Sequence, residues 1–272
     1  MKKHLLLIAL AFCVETVSAQ FAFPTQSAVG GAMGGCSVAL DDFWSRIGSV
    51  AGIARMDRPA VGLSFRNNFL LSELSYKSVA FAIPVTKNGT IGTSYTHFGN
   101  ADYNEQRVNL MYAQQFGHLF SLGAEFDYLH SGVSEAGYES ANLFTFGVGL
   151  QFYPTNTLTV GVHIFNPIST HYQTEVKMDV PALFRAGVAY NFIKNATGTI
   201  EFVKDMNRDS DLRFGLEYTF FDFVNARIGF ATQQLAYSFG VGIDRQSWGV
   251  DLAMQVHPTL GITPQISAIY KF

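Results

Sequence analysis

Leu212-Arg213-Phe214-Gly215-Leu216-Glu217-Tyr218-Thr219-Phe220 alternates without a break. Successive side chains of a strand point to opposite sides. Leu212, Phe214, Leu216, Tyr218 and Phe220 therefore share one face, and Arg213, Gly215, Glu217 and Thr219 share the other. One side is oily from end to end; the other is polar or very small. The pattern returns along the chain. Phe184, Ala186, Val188, Tyr190 and Phe192 oppose Arg185, Gly187, Ala189 and Asn191, and Tyr237, Phe239, Val241 and Ile243 oppose Ser238, Gly240, Gly242 and Asp244. Trp248, Val250, Leu252, Met254 and Val256 face away from Gly249, Asp251, Ala253 and Gln255, and Phe144, Phe146, Val148, Leu150 and Phe152 make a further copy.

A soluble sandwich also alternates, but its wet face carries many Lys, Glu and Thr. Here the polar face is Gly and Ala with isolated charges, and the oily face carries aromatics near strand ends, as at Tyr190, Phe192, Tyr218 and Phe220. That is the distribution of a transmembrane β-barrel, with a lipid-facing apolar band, aromatic girdles and a polar interior. Composition agrees. Of 272 residues, 48% are hydrophobic and 14% charged, against about 25% charged in average soluble chains. Eighteen basic against 21 acidic residues, net −3, leave no electrostatic case for a nucleic-acid partner.

Turn signals between the alternating runs predict strands at 60–68, 72–85, 89–98, 104–116, 119–130, 141–153, 157–166, 180–193, 197–206, 211–220, 223–232, 236–246, 247–257 and 262–272. The expected fold is all-β: an antiparallel transmembrane barrel of about 14 strands, an even number as in bacterial single-chain barrels. Asn88-Gly89 reads as a two-residue hairpin turn. The longer connections, chiefly 131–140 and 167–179, are expected outside the cell. The last strand places Ile266, Ala268, Tyr270 and Phe272 on one face. The terminal aromatics Tyr270 and Phe272 resemble the signal read by the outer-membrane assembly machinery.

The chain opens with Lys2 and Lys3, an apolar run from Leu5 to Val14, and Val17-Ser18-Ala19. This is the three-part pattern of a secretory signal peptide over 1–19, cleaved before Gln20. A lipoprotein reading through Cys13 is opposed by bulky Phe12. Cys36 is then the one remaining cysteine, so no internal disulfide is expected. Past Ala19 no run approaches the ~20 apolar residues of a spanning helix.

Residues 20–59 do not alternate. They hold Gly30-Gly31-Ala32-Met33-Gly34-Gly35-Cys36-Ser37-Val38-Ala39-Leu40-Asp41-Asp42, then Phe43-Trp44-Ser45 and Val50-Ala51-Gly52-Ile53-Ala54. This resembles the N-terminal signature of FadL-like outer-membrane barrels, especially the PorV/PorQ branch of Bacteroidota. Ser49-Val50-Ala51-Gly52 stands where that family usually has Asn-Pro-Ala-Gly. Asn166-Pro167-Ile168, followed by Val180-Pro181-Ala182-Leu183-Phe184-Arg185, is similar to a hairpin of the same family. The resemblance implies that 20–59 folds inside the 60–272 barrel as a plug, with Gly34, Gly35, Ser37, Asp41, Asp42 and Trp44 as its motif. Asp41 is placed to cap a short helix around 42–47. The inward charges Arg107, Glu125, Asp127, Arg185, Glu201, Arg213, Glu217, Arg227 and Asp251 are expected to pair, since buried charges need partners.

No catalytic or metal constellation is expected. His97, His118, His130, His163, His171 and His257 occur singly, without metal-ligand spacing. There is no G-x-S-x-G elbow, and the Gly-rich tract lacks the Gly-Lys-Ser/Thr of a phosphate loop. No enzyme and no cofactor are expected. The resemblance implies two functions in the bacterial outer membrane. One is an accessory or scaffold subunit of a larger complex of outer-membrane or periplasmic proteins, serving type IX secretion or outer-membrane protein assembly and export. The other is a transporter for hydrophobic small molecules, bounded by membrane lipid. The short outer loops favour the scaffold. Asn166, Pro167, Ile168, His171, Tyr172, Met178 and Pro181 are the candidate loop for a partner or ligand. Pro84 and Pro264, in expected strands, mark places where the wall is able to open.

Overall fold

The computed structural model describes residues 27–134, 140–168, 180–206 and 208–272. The expected signal peptide at 1–19 lies outside them, as do His171, Tyr172 and Met178.

The described strands are β1 (Ala60–Asn67), β2 (Ser75–Pro84), β3 (Gly89–Gly99), β4 (Tyr103–Phe116), β5 (Phe120–Val133), β6 (Ala141–Thr155) and β7 (Leu158–Phe165). They continue with β8 (Leu183–Ile193), β9 (Ala196–Asp205), β10 (Asp211–Phe220), β11 (Val224–Ala231), β12 (Ala236–Asp244), β13 (Trp248–His257) and β14 (Gly261–Lys271). Each pairs antiparallel with its sequence neighbours, and β1 pairs with β14 to close the barrel. Closure gives every strand two partners, which satisfies the backbone inside lipid.

Most strand ends lie within two residues of the sequence expectation; two strands start three residues later and β5 ends three residues later, at Val133. β2 starts at Ser75 because 72–74 forms a 3-10 turn. β8 starts at Leu183, two residues after Pro181, which has no N–H to give a ladder. Asn88-Gly89 is not a two-residue turn: Gly89 opens β3, and its carbonyl accepts from Val85 N at 2.9 Å and Thr86 N at 3.1 Å. Two-residue reversals stand instead at 156–157 and 194–195, where Thr155 pairs with Leu158 and Ile193 with Ala196. The three-residue turn at 221–223 has Phe221 and Asp222 at φ of 52° and 61°.

Short connections such as 156–157 and 194–195 share one end of the barrel with the chain terminus, and the 166–182 connection lies at the other. Short turns mark the periplasmic end of such barrels. There the oily face carries aromatic pairs at i and i+2: Tyr190–Phe192 at 5.2 Å, Tyr218–Phe220 at 4.6 Å and Tyr270–Phe272 at 5.1 Å between ring centres. They form the periplasmic girdle. Phe272 N donates to Pro59 O at 2.9 Å, tying the chain's end to the start of β1.

Residues 27–59 run inside this wall. They form α1 (Ala28–Ala32), α2 (Phe43–Ser49) and a 3-10 turn at Ala51–Arg55. Ser27 caps α1, its side chain accepting from Gly30 N at 3.2 Å. α2 is capped by Asp42, whose Oδ1 accepts from Trp44 N at 3.1 Å and Ser45 N at 3.2 Å. The expectation of an Asp41 cap is corrected by one residue. Asp41 instead pairs with Arg46 at 3.0 Å and Arg55 at 3.7 Å, clipping the helix to the 3-10 turn.

Candidate functional site

The inward glycines of the wall are where the N-terminal segment touches it. A methyl group at Gly123 would fall 2.7 Å from Val50 Cγ1 and 2.8 Å from Ala51 N, and one at Gly215 2.8 Å from Met33 Cβ. Gly149, Gly161 and Gly229 leave still less room, facing Ser49 O, Val38 O and Gly34 N. These are backbone atoms, so no rotamer change makes space. Gly34 and Gly35 have φ of 72° and 89°, a conformation costly for residues with a Cβ. Gly34 N donates to Ser238 Oγ at 3.0 Å, which in turn donates to Ala32 O at 3.0 Å.

Charged groups of the wall hold the rest of the segment. Glu201, 1% exposed, accepts through Oε2 from Ser37 N at 2.6 Å and Val38 N at 2.8 Å. Arg185 donates to Ser37 Oγ at 2.8 Å and also to Gly48 O. Arg213 Nη1 donates to Gly35 O at 2.9 Å, and Gln151 Nε2 to Val38 O at 2.8 Å. So Ser37 and Gly35, expected as plug motif, are gripped from the wall. Trp44, also of that motif, is 2% exposed and meets Phe43 edge-on at 5.6 Å. Cys36 is buried beside Met33 and Val38, and burial pushes its thiol well above the usual range.

Above the segment runs a belt of paired charges. Arg107 meets Asp127 at 2.7 Å and Glu125 at 3.1 Å. Arg185 Nη2, which has only protons to give, lies 2.9 Å from His163 Nδ1. That leaves the Nε2 proton of His163 for Glu125 Oε1 at 3.0 Å. Nearer the periplasm Arg227 meets Asp251 at 2.6 Å and Glu217 at 2.5 Å. The expected pairing holds for Arg107, Glu125, Asp127, Glu217, Arg227 and Asp251. Arg213 pairs with Asp211 at 2.7 Å, outside the expected set. Glu201 and Arg185 differ, because the backbone of the segment supplies their partners.

At the extracellular end the lumen changes character. Leu129, Ala141, Phe165 and Val180 form an apolar cluster, joined by Leu143 and Leu183. At its edge Asn166, which follows β7, bonds across to Val180, which precedes β8. Asn166, fully buried with φ of 50°, accepts from Thr145 Oγ1 at 2.8 Å and donates from Nδ2 to Val180 O at 2.8 Å. Across the lumen stand Arg66, Tyr76 and Phe98, the last two with ring centres 4.4 Å apart. Arg66 donates to Asn68 Oδ1 at 2.8 Å and Gln255 Oε1 at 2.9 Å. Of the candidate loop, Asn166 and Pro181 flank the cluster and Ile168 is exposed.

The seam that closes the wall is short at this end. The β1–β14 ladder stops at Arg66 opposite Gln265, although β14 begins at Gly261. The next residue, Pro264, has no N–H to extend it. Phe69 N bonds Thr263 Oγ1 at 3.1 Å instead, from the connection after β1. Pro84 marks no opening: it sits in the last pair of β2 and β3, opposite Thr90.

The periplasmic end holds a polar chamber of about 430 Å³ between the segment and the wall, lined by Asp41, Asp42, Arg55, Glu217 and Arg227 among others. Burial pushes the Asp42 carboxyl above its ordinary range, against the hydrogen bonds from Ser45. Among the described residues no group of His, Cys, Asp and Glu is arranged to hold a metal ion.

No family model and no curated protein matches the chain. Among solved structures it is similar to the Pseudomonas putida toluene transporter TodX, with a TM-score of 0.69 at 11% identity over 90% of this chain and 98% of that one. It is similar to a Pseudomonas aeruginosa FadL homologue, with a TM-score of 0.69 at 13% identity over 93% and 99%. Acinetobacter baumannii Omp33 is more distant, at 0.53 and 9% over 79% and 98%. At such identities the likeness is one of fold. The chain has the fold of FadL-type outer-membrane channels, and the bacterial outer membrane is where such a barrel resides. None of these likenesses singles out the PorV/PorQ branch.

Proposed function

We propose that this FadL-type barrel is a non-enzymatic channel that admits small hydrophobic molecules through the outer membrane. One observation carries the reading: an apolar cluster at the extracellular end of the lumen, apart from the N-terminal segment and the charged belt. A binding site for an apolar solute needs such a lining, with few polar groups. The β1–β14 seam, whose ladder ends at Arg66 and Gln265, lies across the lumen from the cluster. A solute that leaves sideways there avoids both the belt and the filled lower lumen. The named neighbours add weight, since TodX is described as a monoaromatic hydrocarbon channel.

The accessory-subunit reading expected from the sequence finds no support among these neighbours. In its favour stands the packing of 27–59 against the inner wall.

Binding of toluene to the detergent-purified barrel, followed by equilibrium dialysis, tests the proposal. Saturable binding, lost in Phe165→Asp and Leu129→Asp, is the expected result. Non-saturable partitioning equal in all three proteins overturns it. Stoichiometric co-purification of other membrane proteins together with that result restores the accessory-subunit reading.

A further inference from the structure

The oily outer face is not uniform. A groove of about 450 Å³ crosses it between β14 and β3, walled by Leu63, Phe65, Val79, Ile266 and Ala268. Ala268 lies between Leu63 of β1 and Val250 of β13, so a methyl group stands where neighbouring positions carry larger side chains. At the extracellular rim of this groove is Lys77, facing outward between Phe65 on β1 and His97 on β3. A lysine pointing from a strand toward lipid is costly near the bilayer centre and cheap only near the interface.

Lys77 makes no ion pair among the described residues, and the outward positions of β1 to β4 carry no carboxylate. His97 beside it has its Nδ1 buried without a hydrogen bond to another residue. Tyr95, below on the same strand, lines the groove and donates its hydroxyl to Gln106 Oε1 at 3.2 Å. The contrast is Lys204, which faces outward on β9 on the other side of the barrel. Its ammonium donates to Arg208 O at 2.7 Å and is thereby occupied.

We infer that this groove seats one lipid of the outer leaflet with a net-anionic phosphate headgroup, an acyl chain lying along Leu63, Val79 and Ile266 and the phosphate on Lys77. The arrangement suits an amphiphile: an apolar trough of small-ligand size, a free cation at the end nearer the headgroups, and no competing negative charge. A lysine at a membrane surface attracts anionic headgroups, and the trough fixes where on the barrel that attraction acts. The seat lies on the outer face of the wall and does not depend on what passes through the lumen.

The test reconstitutes the barrel in phosphatidylcholine nanodiscs containing a little diphosphorylated lipid A. Native mass spectrometry then measures the glycolipid retained after transfer to detergent. One retained lipid A per barrel is expected. Lys77→Gln lowers retention about fivefold, the worth of one lysine beside an anionic headgroup. Lys77→Arg keeps it and Lys204→Gln leaves it unchanged. Ala268→Phe fills the trough without touching the cation and produces a loss of similar size. Fully dephosphorylated lipid A is retained no better than phosphatidylcholine. Equal retention by the wild type, Lys77→Gln and Ala268→Phe overturns the seat, and so does equal retention of the phosphorylated and dephosphorylated glycolipids. Heat-shifted gel mobility confirms that each variant is a folded barrel before it is scored.

Discussion

The two halves of the lumen are closed by different means. In the periplasmic half, main chain lies on main chain: residues 27–59 press on wall glycines, and Glu201, Arg185, Arg213 and Gln151 bond their backbone. In the extracellular half, side chains meet side chains: Leu129, Phe165 and Val180 pack together, and Asn166 bonds Val180 O. Backbone packing through charge-assisted bonds has to be broken at many points together. The bond from Asn166 to Val180 can be broken alone. The comparison predicts constancy in the lower half and movement in the upper.

The harshest way to break that contrast is Gly149→Val, which drives a side chain into Ser49 O. Overpacking typically costs about 1–3 kcal/mol and more where nothing can yield, as against this backbone, and the expected result is loss of the heat-shifted folded band on gels. Glu201→Ala comes next. It strips Ser37 N and Val38 N of their acceptor and leaves neighbouring cations uncompensated. Breaking one side of a buried charged network costs about 3–5 kcal/mol, visible as a lower urea midpoint. Asn166→Ala acts on the upper half alone. Losing its latch and its left-handed backbone preference costs about 1–3 kcal/mol, felt as faster hydrogen exchange across 166–182 at an unchanged global midpoint. An equal fall in the global midpoint would mean that the halves are one cooperative unit.

Two smaller effects sharpen the comparison. A methyl group at Gly48, in α2, meets nothing within 4 Å, so Gly48→Ala raises stability by about 0.5–1 kcal/mol through helix propensity. The pH dependence is subtler. Asp42 has its pKa raised in the folded state, chiefly by burial. The folded protein therefore holds a proton that the unfolded chain releases between the ordinary carboxylate pKa and the raised one. Stability falls as pH rises through that window and is regained on acidification. Comparing urea midpoints of the wild type and Asp42→Asn across the window isolates the effect: the variant is flatter there.

The fold was legible because a period of two is a local property: Leu212 to Phe220 announces its faces without reference to the rest of the chain. The strand ends shifted where a local feature intervened, a 3-10 turn before Ser75 and Pro181 before Leu183. The interior was legible in kind but not in partner. Gly149, Gly161 and Gly229 read as small inward residues, yet what they accommodate is main chain 100 or more positions away in the sequence, at Ser49, Val38 and Gly34. Glu201 and Arg185 read as members of ion pairs because charge is visible in a sequence, whereas the backbone N–H and carbonyl groups of 37–48 are not. The cap was misplaced by one residue because Asp41 and Asp42 are the same chemistry side by side. Two further features gave no usable signal. The vestibule cluster draws one or two residues from each of β5 to β8, with Val180 from the connection between β7 and β8. The groove under Lys77 depends on the pairing of β1 with β14, the first strand with the last.

Uptake of labelled toluene by Gram-negative cells expressing the chain tests the central claim most directly, with the wild type, Asn166→Ala and a disulfide staple joining position 180 to β6 measured side by side. The account predicts uptake above the vector control, faster in Asn166→Ala, and abolished by the staple until a reductant restores it. Uptake at the vector level in all three, from barrels shown to be folded and at the cell surface, contradicts it.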